Sequence, residues 1–320
     1  MRVLALVPGG IGDQILFFPT FDDLQQAYPS AEIDVVVEPL AKSAYRISKV
    51  VNEVILFDFQ ANSSPADWAN LLGIIRDREY EVLITLSPKW SIGLLLWLSG
   101  VPTRIGYADN PGALFLTHTV PRKSSQYQAY VYHDLLQGLG LTVPCSNTAI
   151  NVPQGDLNWA NQQRESLGVK DTGYVLLHDG LAIEAAYPAG QWQIILQNFQ
   201  ARQPNLPLIW LQAPGDAQLI QTLKAQVPAI KVSTPNNVGQ MAAMVAGADL
   251  VLCTDSVVMQ IAVALKVFTL ALFETQTAAA TGLPSASEGA PETRFIGIPS
   301  LTGKLADISA ETVLKKVWGG

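Results

Sequence analysis

The sequence has few of the residues that form disulfide bonds or bind metals. Its 320 residues include two cysteines and three histidines. Cys145 and Cys253 lie far apart, without the paired spacing of a disulfide framework or a zinc site. No H-E-x-x-H motif or similar cluster includes the histidines, which are His118, His133 and His178. These absences argue against a metalloenzyme, and we expect no bound metal and no cofactor.

The chain also lacks a surplus of positive charge and a long apolar run. It has 20 Lys and Arg against 27 Asp and Glu, whereas nucleic-acid-binding proteins present a basic face. Its most apolar stretch, WSIGLLLWLSGV (90–101), is well short of the roughly 20 residues that span a membrane. The N-terminal MRVLALVPGG is too short for a signal peptide and is typical of a buried first strand. We therefore expect a cytoplasmic protein that does not bind nucleic acid.

Apolar residues make up 49% of the chain, and they alternate between strand-like runs and amphipathic helices. Strands are predicted at residues 2–8, 32–39, 53–59, 81–88 and 103–108, and again at 174–180, 206–216, 230–234, 248–256 and 268–274. Near-continuous apolar strands between helices are typical of parallel sheets covered on both faces. The polar, turn-rich segment 146–156 separates the two series. The predicted fold class is α/β, with two doubly wound parallel-sheet domains at residues 1–155 and 156–307.

The turn PGGIGDQILFFP (8–19) follows the first predicted strand and places Asp13 near the start of a helix. Its glycines do not match the G-x-G-x-x-G dinucleotide fingerprint, and no Lys-Ser/Thr pair forms a Walker-type loop. Asp13 has two interpretations that the turn leaves open, namely a helix N-terminal contact or a reactive carboxylate. Ligands of open α/β folds bind at the carboxyl ends of the strands. The motifs HDG (178–180), QAPGD (212–216) and TDS (254–256) are also predicted at strand ends, so we expect them to converge on a cleft between the domains.

Several longer segments together resemble family 9 glycosyltransferases, typified by the ADP-heptose:lipopolysaccharide heptosyltransferases. The segments that carry the resemblance are GGIGDQILFFPTFDDLQQAYPSAEIDVVVEP (9–39), VPTRIGYA (101–108), HDLLQGLGL (133–141), YPAGQW (187–192) and ADLVLCTDSVVMQIAVALKVFTLALF (248–273). The resemblance implies the GT-B architecture, in which two Rossmann-like domains face a central cleft. It assigns the acceptor to the first domain and the nucleotide sugar to the second, and it implies that the C-terminal helix (308–320) packs back on the first domain.

The resemblance also implies an activity, which is the inverting transfer of a heptose-like sugar from a nucleoside diphosphate sugar, with an ADP-sugar favoured. The implied acceptor is lipopolysaccharide or another glycolipid or glycan, met by peripheral contact at the inner face of the inner membrane. Asp13 matches the family's general base, and the reaction needs no metal. The predicted substrate-binding residues are Gly10, Gly12, Gln14, Lys89, Gly180, Asp216, Asp255, Ser256, Val257 and Gln260. Lys89 and Trp90, after the predicted strand 81–88, have two open interpretations, namely hydrogen bonding and stacking with an acceptor sugar or a surface role.

The donor side departs from the family pattern D-[ST]-G-x-x-H. Val257 replaces the glycine and Gln260 replaces the histidine, and Ala185 stands where family members carry a lysine or arginine. Loss of a charge-assisted contact weakens diphosphate binding by roughly 1.5–3 kcal/mol. These departures keep a second hypothesis open, a catalytically degenerate member that acts as a binding or assembly protein. His178 matches the family's H-x-G, but a histidine at a strand end is more often packed than catalytic.

Overall fold

The computed structural model describes residues 1–60, 63–169, 172–180, 186–284 and 294–319. The chain divides into two compact units, Met1–Asn151 and Val152–Gly320, so the division falls slightly before the predicted boundary at 155. None of the described helices is both long enough and apolar enough to cross a membrane.

The first unit is a six-stranded sheet with helices between the strands. The strands are β1 (Arg2–Val7), β2 (Glu32–Val37), β3 (Glu53–Leu56), β4 (Val82–Thr85), β5 (Thr103–Tyr107) and β6 (His118–Val120). The α-helices are α1 (Ile11–Ala27), α2 (Pro65–Asp77), α3 (Trp90–Ser99) and α4 (Gln128–His133), with 3-10 turns at Pro39–Ile47, Ala113–Phe115 and Asp134–Leu139. Its strands pair in parallel in the order β3-β2-β1-β4-β5-β6.

The second unit repeats this arrangement. Its strands are β7 (Val175–His178), β8 (Leu208–Leu211), β9 (Lys231–Ser233), β10 (Leu250–Thr254), β11 (Thr269–Phe273) and β12 (Phe295–Pro299). Its helices are α5 (Gln154–Ser166), α6 (Ala189–Arg202), α7 (Ala217–Gln226), α8 (Val238–Ala246), α9 (Val257–Ala264), α10 (Gln276–Gly282) and α11 (Ala310–Trp318). The parallel order is β12-β11-β10-β7-β8-β9.

Both sheets have the same topology when the strands are counted within their own unit. The chain begins in the middle of each sheet, winds to one edge, and then returns to wind to the other. The order therefore reverses between β1 and β4 in the first unit and between β7 and β10 in the second, and such switch points are where open α/β sheets bind ligands. The predicted α/β class with two doubly wound parallel sheets is confirmed. The sequence did not predict β6 and β12, which are short or only half-buried.

Helix α11 differs from the expectation that residues 308–320 pack on the first domain. The structure places its buried Val313 in the apolar core of the second unit, together with Trp192 of α6. The Trp318 indole donates a hydrogen bond to the Asn198 amide oxygen at 3.0 Å, which ties the end of α11 to α6. An amphipathic helix must bury its apolar face, but its sequence does not say which surface will cover it.

Candidate functional site

The turn after β1 is shaped by a glycine that no other residue could replace without strain. Gly9 has φ +111°, in the left-handed region. A Cβ atom on Gly9 would lie 2.3 Å from Oδ2 of Asp13. Beside Gly10, by contrast, an added Cβ would meet nothing within 4 Å. The backbone therefore passes directly against Asp13 while leaving open space next to it.

Two hydrogen bonds fix the Asp13 carboxylate in one orientation. Oδ2 accepts from the Gly10 backbone N–H at 2.9 Å, and Oδ1 accepts from the Tyr132 hydroxyl at 2.9 Å. The first bond is the helix N-terminal contact that the sequence suggested, because Asp13 is the third residue of α1. Each carboxylate oxygen has two lone-pair sites, so each retains one for a further donor. The side chain is half-buried.

Tyr132 is a site residue that the sequence reasoning missed. It lies near the end of α4, is 8% exposed, and packs beside the Phe17 ring with centroids 5.9 Å apart. Burial first, and the Asp13 carboxylate second, raise the pKa of Tyr132 well above its ordinary value. The hydroxyl therefore keeps its proton and acts as a donor to Asp13. No spacing in the sequence could have linked two residues on different helices so far apart in the chain.

Gln14, which was predicted to bind substrate, lies beneath the turn. Its side chain is fully buried, at 0% exposure. Its amide nitrogen donates to the Val7 carbonyl at 3.0 Å, and its amide oxygen accepts from the Tyr45 hydroxyl at 2.7 Å. Gln14 supports the turn from within, so the structure corrects the expected substrate contact. Gly12, predicted with it, lies in the first turn of α1.

Lys89 and Trp90 lie at the start of α3, beyond the carboxyl end of β4, and both are exposed. The Lys89 ammonium donates to the Phe59 carbonyl, and the Phe59 N–H donates to the Glu38 carboxylate at 3.1 Å. Partial burial, and then the nearby Asp58, raise the pKa of Glu38. Lys89 thus belongs to a small group of charged residues at this edge of the sheet, and its contact with an acceptor remains a prediction.

At the switch point of the second unit, the ends of β7 and β10 meet closely. A Cβ on Gly180 would lie 2.6 Å from Cβ of Ser256, so this approach needs glycine. The Gly180 N–H donates to the Thr254 hydroxyl at 3.1 Å. Ser256 is the N-cap of α9, and its hydroxyl accepts from the Met259 N–H at 3.4 Å. The structure therefore brings Gly180 together with Ser256. Asp255 and Val257, which precede and follow Ser256 in the chain, lie next to this contact.

Asp255 extends from the same turn with an exposed side chain. Partial desolvation by the surrounding chain, and secondarily the negative charge of Glu274, raise the pKa of Asp255. Asp255 follows β10 and Glu274 follows β11. Because these two strands are neighbours, both carboxylates lie at the carboxyl edge of the sheet.

His178, the last residue of β7, and Asp179, which follows it, are both buried. His178 Nδ1 lies 2.9 Å from the Leu211 carbonyl, which can only accept, and burial lowers the pKa of the imidazole. Asp179 is 1% exposed. Its Oδ2 accepts from the Tyr187 N–H at 2.9 Å and from the Trp192 indole at 3.2 Å, and its Oδ1 accepts from the Thr254 hydroxyl at 3.2 Å. The sequence reasoning did not single out Asp179, which ties the segment before α6 to the sheet.

Asp216 closes the APGD turn and borders a cavity in this unit. Its Oδ2 accepts from the Ala213 N–H at 2.9 Å and from the Trp210 indole at 3.1 Å. Gly215 has φ +101°, which explains the glycine in this turn. The cavity beside it is about 590 Å³ and is lined by the starts of α6 and α7, including Pro188 and Leu219. That volume is in the range of small-molecule sites.

The residues that depart from the family pattern have different environments. Val257 is the first residue of α9, next to the Ser256 cap. Gln260 is 6% exposed, and its amide donates to the Gly282 carbonyl at 3.2 Å, so the side chain ties α9 to α10. This contact anchors the Gln260 amide, and the place of Gln260 beside the diphosphate stays a prediction. Ala185, the third departure, lies outside the described residues.

Comparison with known proteins agrees with the resemblance seen in the sequence. The profile of Glycosyltransferase family 9 (heptosyltransferase) matches residues 68–293. The chain is 22% identical to the photosynthetic NDH subunit of subcomplex B 1 of Arabidopsis thaliana, over 98% of this chain and 72% of that protein. It is also 22% identical to lipopolysaccharide heptosyltransferase 3 of Escherichia coli, over 82% of this chain and 80% of that protein.

Solved structures share the fold. A glycosyl transferase family 9 protein of Veillonella parvula has a TM-score of 0.82 at 19% identity, covering 99% of this chain and 96% of its own. The E. coli heptosyltransferase WaaC with ADP-2-deoxy-2-fluoro heptose has a TM-score of 0.76 at 17% identity, covering 100% and 99%.

Proposed function

The chain belongs to glycosyltransferase family 9, and from that membership we propose that it transfers a heptose-like sugar from a nucleoside diphosphate sugar to a glycolipid or glycan, with inversion at the anomeric carbon. The observation that supports it most directly is the Asp13 carboxylate, half-buried and oriented at the switch point of the first sheet.

Asp13 would act as the general base. As an acceptor hydroxyl attacks the anomeric carbon, its proton passes to a carboxylate oxygen, the new carbon–oxygen bond forms, and the bond to the diphosphate breaks. The Gly10 N–H and the Tyr132 hydroxyl hold the carboxylate in one rotamer, which reduces the ordering needed in the transition state. The open space beside Gly10 leaves room for the acceptor.

The second unit would hold the donor. The first amides of α9, capped by Ser256, have no partners within the helix and favour an anion, so in this scheme they receive the leaving diphosphate without a metal. Gly180, Asp255 and Val257 surround that helix start, and Asp216 borders the cavity proposed for the nucleoside. We favour an ADP-sugar because the similar E. coli heptosyltransferase was solved with ADP-2-deoxy-2-fluoro heptose.

The acceptor side would meet a membrane surface. Trp90 and Trp97 of α3 are 59% and 54% exposed, and Leu114 nearby is 76% exposed. Tryptophan is favoured where one side of a surface is apolar and the other is wet. With Lys89 beside them, these side chains suit peripheral contact at the inner face of an inner membrane, where a lipopolysaccharide-type acceptor would be presented.

The decisive experiment compares Asp13→Asn with a control that changes the same kind of helix contact. Asp67 is the third residue of α2 and accepts from the Ser64 N–H at 2.9 Å, as Asp13 does from Gly10 in α1. Across a panel of nucleotide sugars and lipopolysaccharide-type acceptors, Asp13→Asn should lower transfer by about 10²–10⁴-fold. Asp67→Asn should retain activity at a similar stability. Full activity in Asp13→Asn, with a donor that the wild type uses, would refute the base assignment.

A second function, binding or assembly without transfer, is favoured by the donor-side departures. Val257 and Gln260 replace the family's glycine and histidine, and Gln260 is committed to the Gly282 carbonyl. The similarity to a chloroplast NDH subunit extends over almost the whole chain. Calorimetry decides between the two functions, because absence of binding to nucleoside diphosphates and their sugars up to millimolar concentration would favour the binding protein.

A further inference from the structure

A second polar cluster lies away from the candidate active site, in the first unit. Asp23 on α1, His133 at the end of α4 and Cys145 beyond the following turn place one ligand atom each within 4.8 Å of one another. Asp13 and Asp23 are ten residues apart on the same helix, or about 15 Å along its axis. The three residues come from separate segments, which is why their sequence spacing showed no metal motif.

Two of the three residues in this cluster are buried. Asp23 and His133 are 4% and 5% exposed, and Cys145 is partly exposed. His133 Nε2 lies 2.9 Å from Oδ2 of Asp23, so the imidazole and the carboxylate already face one another at ion-pair distance. The Thr20 hydroxyl, one helical turn before Asp23, is buried without a partner among the described residues. Buried polar atoms are normally satisfied, so the Thr20 hydroxyl calls for an explanation.

The Asp23 carboxylate is held in place from the other side. Its Oδ2 accepts from the Ser146 N–H at 2.8 Å, and its Oδ1 accepts from the Ser146 hydroxyl. These bonds use one lone-pair site on each oxygen and leave the others available. Hydrogen bonds of this kind orient carboxylate ligands in metal sites. They also fix the segment that carries Cys145 against α1.

We propose that Asp23, His133 and Cys145 bind Zn²⁺ through three protein ligands. Imidazole nitrogen, thiolate sulfur and carboxylate oxygen are all zinc ligands. With bonds of 2.0–2.3 Å, tetrahedral ligand atoms lie roughly 3.3–3.8 Å apart, so small side-chain rotations would complete the site. The thiol proton passes to solvent on binding, and the carboxylate, thiolate and neutral imidazole then balance the charge of the ion. A water reaching the partly exposed side by Cys145 takes the fourth position. The ion ties α1, α4 and the segment before the second unit together.

Cobalt binding tests the proposal, because Co²⁺ reports thiolate and tetrahedral coordination in its absorption spectrum. The full chain, freed of metal by a chelator, should bind one equivalent of Co²⁺ with a thiolate-to-cobalt charge-transfer band, and Zn²⁺ should displace it. Cys145→Ala should abolish that band, and His133→Gln should weaken binding at least tenfold. Cys253→Ala, the matched control, should keep the charge-transfer band and the Co²⁺ affinity of the wild type. Binding that survives the loss of Cys145 would identify an adventitious ion only and overturn the proposal.

The wild-type chain offers a second test that does not depend on any variant folding. Cys145 is partly exposed and Cys253 is buried, so alkylation of the folded protein should begin at Cys145. Zn²⁺ should slow alkylation of Cys145 at least tenfold, while Cys253 serves as the internal reference. An alkylation rate at Cys145 that is unchanged by Zn²⁺ would also overturn the proposal.

Discussion

Asp13 in the first unit and Asp179 in the second both lie just beyond the strand at which their sheet reverses its order, but their surroundings differ. Asp13 is half-buried and accepts one hydrogen bond on each oxygen. Asp179 is 1% exposed and accepts hydrogen bonds from a backbone amide, an indole and a hydroxyl. The same topology thus places a carboxylate at each switch point. The neighbouring side chains make the difference: they leave Asp13 partly exposed, whereas they bury Asp179, which stabilises the fold.

The largest effect expected from this comparison is on stability. Asp179→Ala leaves three buried donors without an acceptor, which should lower the free energy of unfolding of the second unit by about 3–5 kcal/mol. Asp13→Ala removes a helix-end contact and should cost about 1 kcal/mol. Urea unfolding followed by tryptophan fluorescence and circular dichroism measures both. Equal losses of unfolding free energy in the two variants would contradict the difference between Asp13 and Asp179.

Next in size is the effect of restoring charge on the donor side. Gln260→His combined with Ala185→Lys returns the residue types that the family places beside the diphosphate. If the second unit holds the donor, ADP binding should tighten at least tenfold, or about 1.4 kcal/mol, with a salt dependence that the wild type lacks. Gln226→Lys, at the far end of α7, adds the same charge as a control. Calorimetry showing unchanged affinity in the double variant would count against the nucleotide-sugar hypothesis.

The smallest expected effect tests whether Tyr132 is a positioning residue for the Asp13 carboxylate. Tyr132→Phe keeps the ring packing on Phe17 but removes the hydroxyl that donates to Asp13. We expect kcat to fall about three- to tenfold with KM for the donor nearly unchanged, because only the orientation of the base is affected. Steady-state kinetics across both substrates provide the measurement. A change confined to stability, or to KM, would show that the hydroxyl serves the fold alone.

The sequence predicted the elements that carry strong local signals. The runs 2–8 and 32–39 contain the consecutive apolar residues 3–7 and 35–37, because both faces of a central parallel strand are buried, and they became β1 and β2. The strands β6 and β12 were not predicted from the sequence. In β6 the residues His118 and Thr119 are exposed, and β12 is mostly half-buried, so neither shows a continuous apolar run.

The candidate site was only partly predictable, because the sequence shows contacts between neighbouring residues but not contacts between distant ones. Gly9 and Asp13 form a local motif, since a left-handed turn and a helix start interact within a few residues. Gln14 is adjacent in sequence, yet its side chain points inward to Val7 and Tyr45, which the motif could not show. Gln260 was likewise expected at the diphosphate, and its buried contact with Gly282 depends on where α10 ends.

The sequence alone determined the α/β class, the two-unit organisation and the glycosyltransferase family 9 motifs, because periodicity, turn glycines and motif order are properties of neighbouring residues. Tertiary structure alone decided that Tyr132 meets Asp13, that His133 and Cys145 approach Asp23, and that α11 covers α6. These contacts join segments far apart in the chain, and they follow from how each helix buries its apolar face on a sheet or on another helix. A side chain's partners are fixed only once that packing is complete.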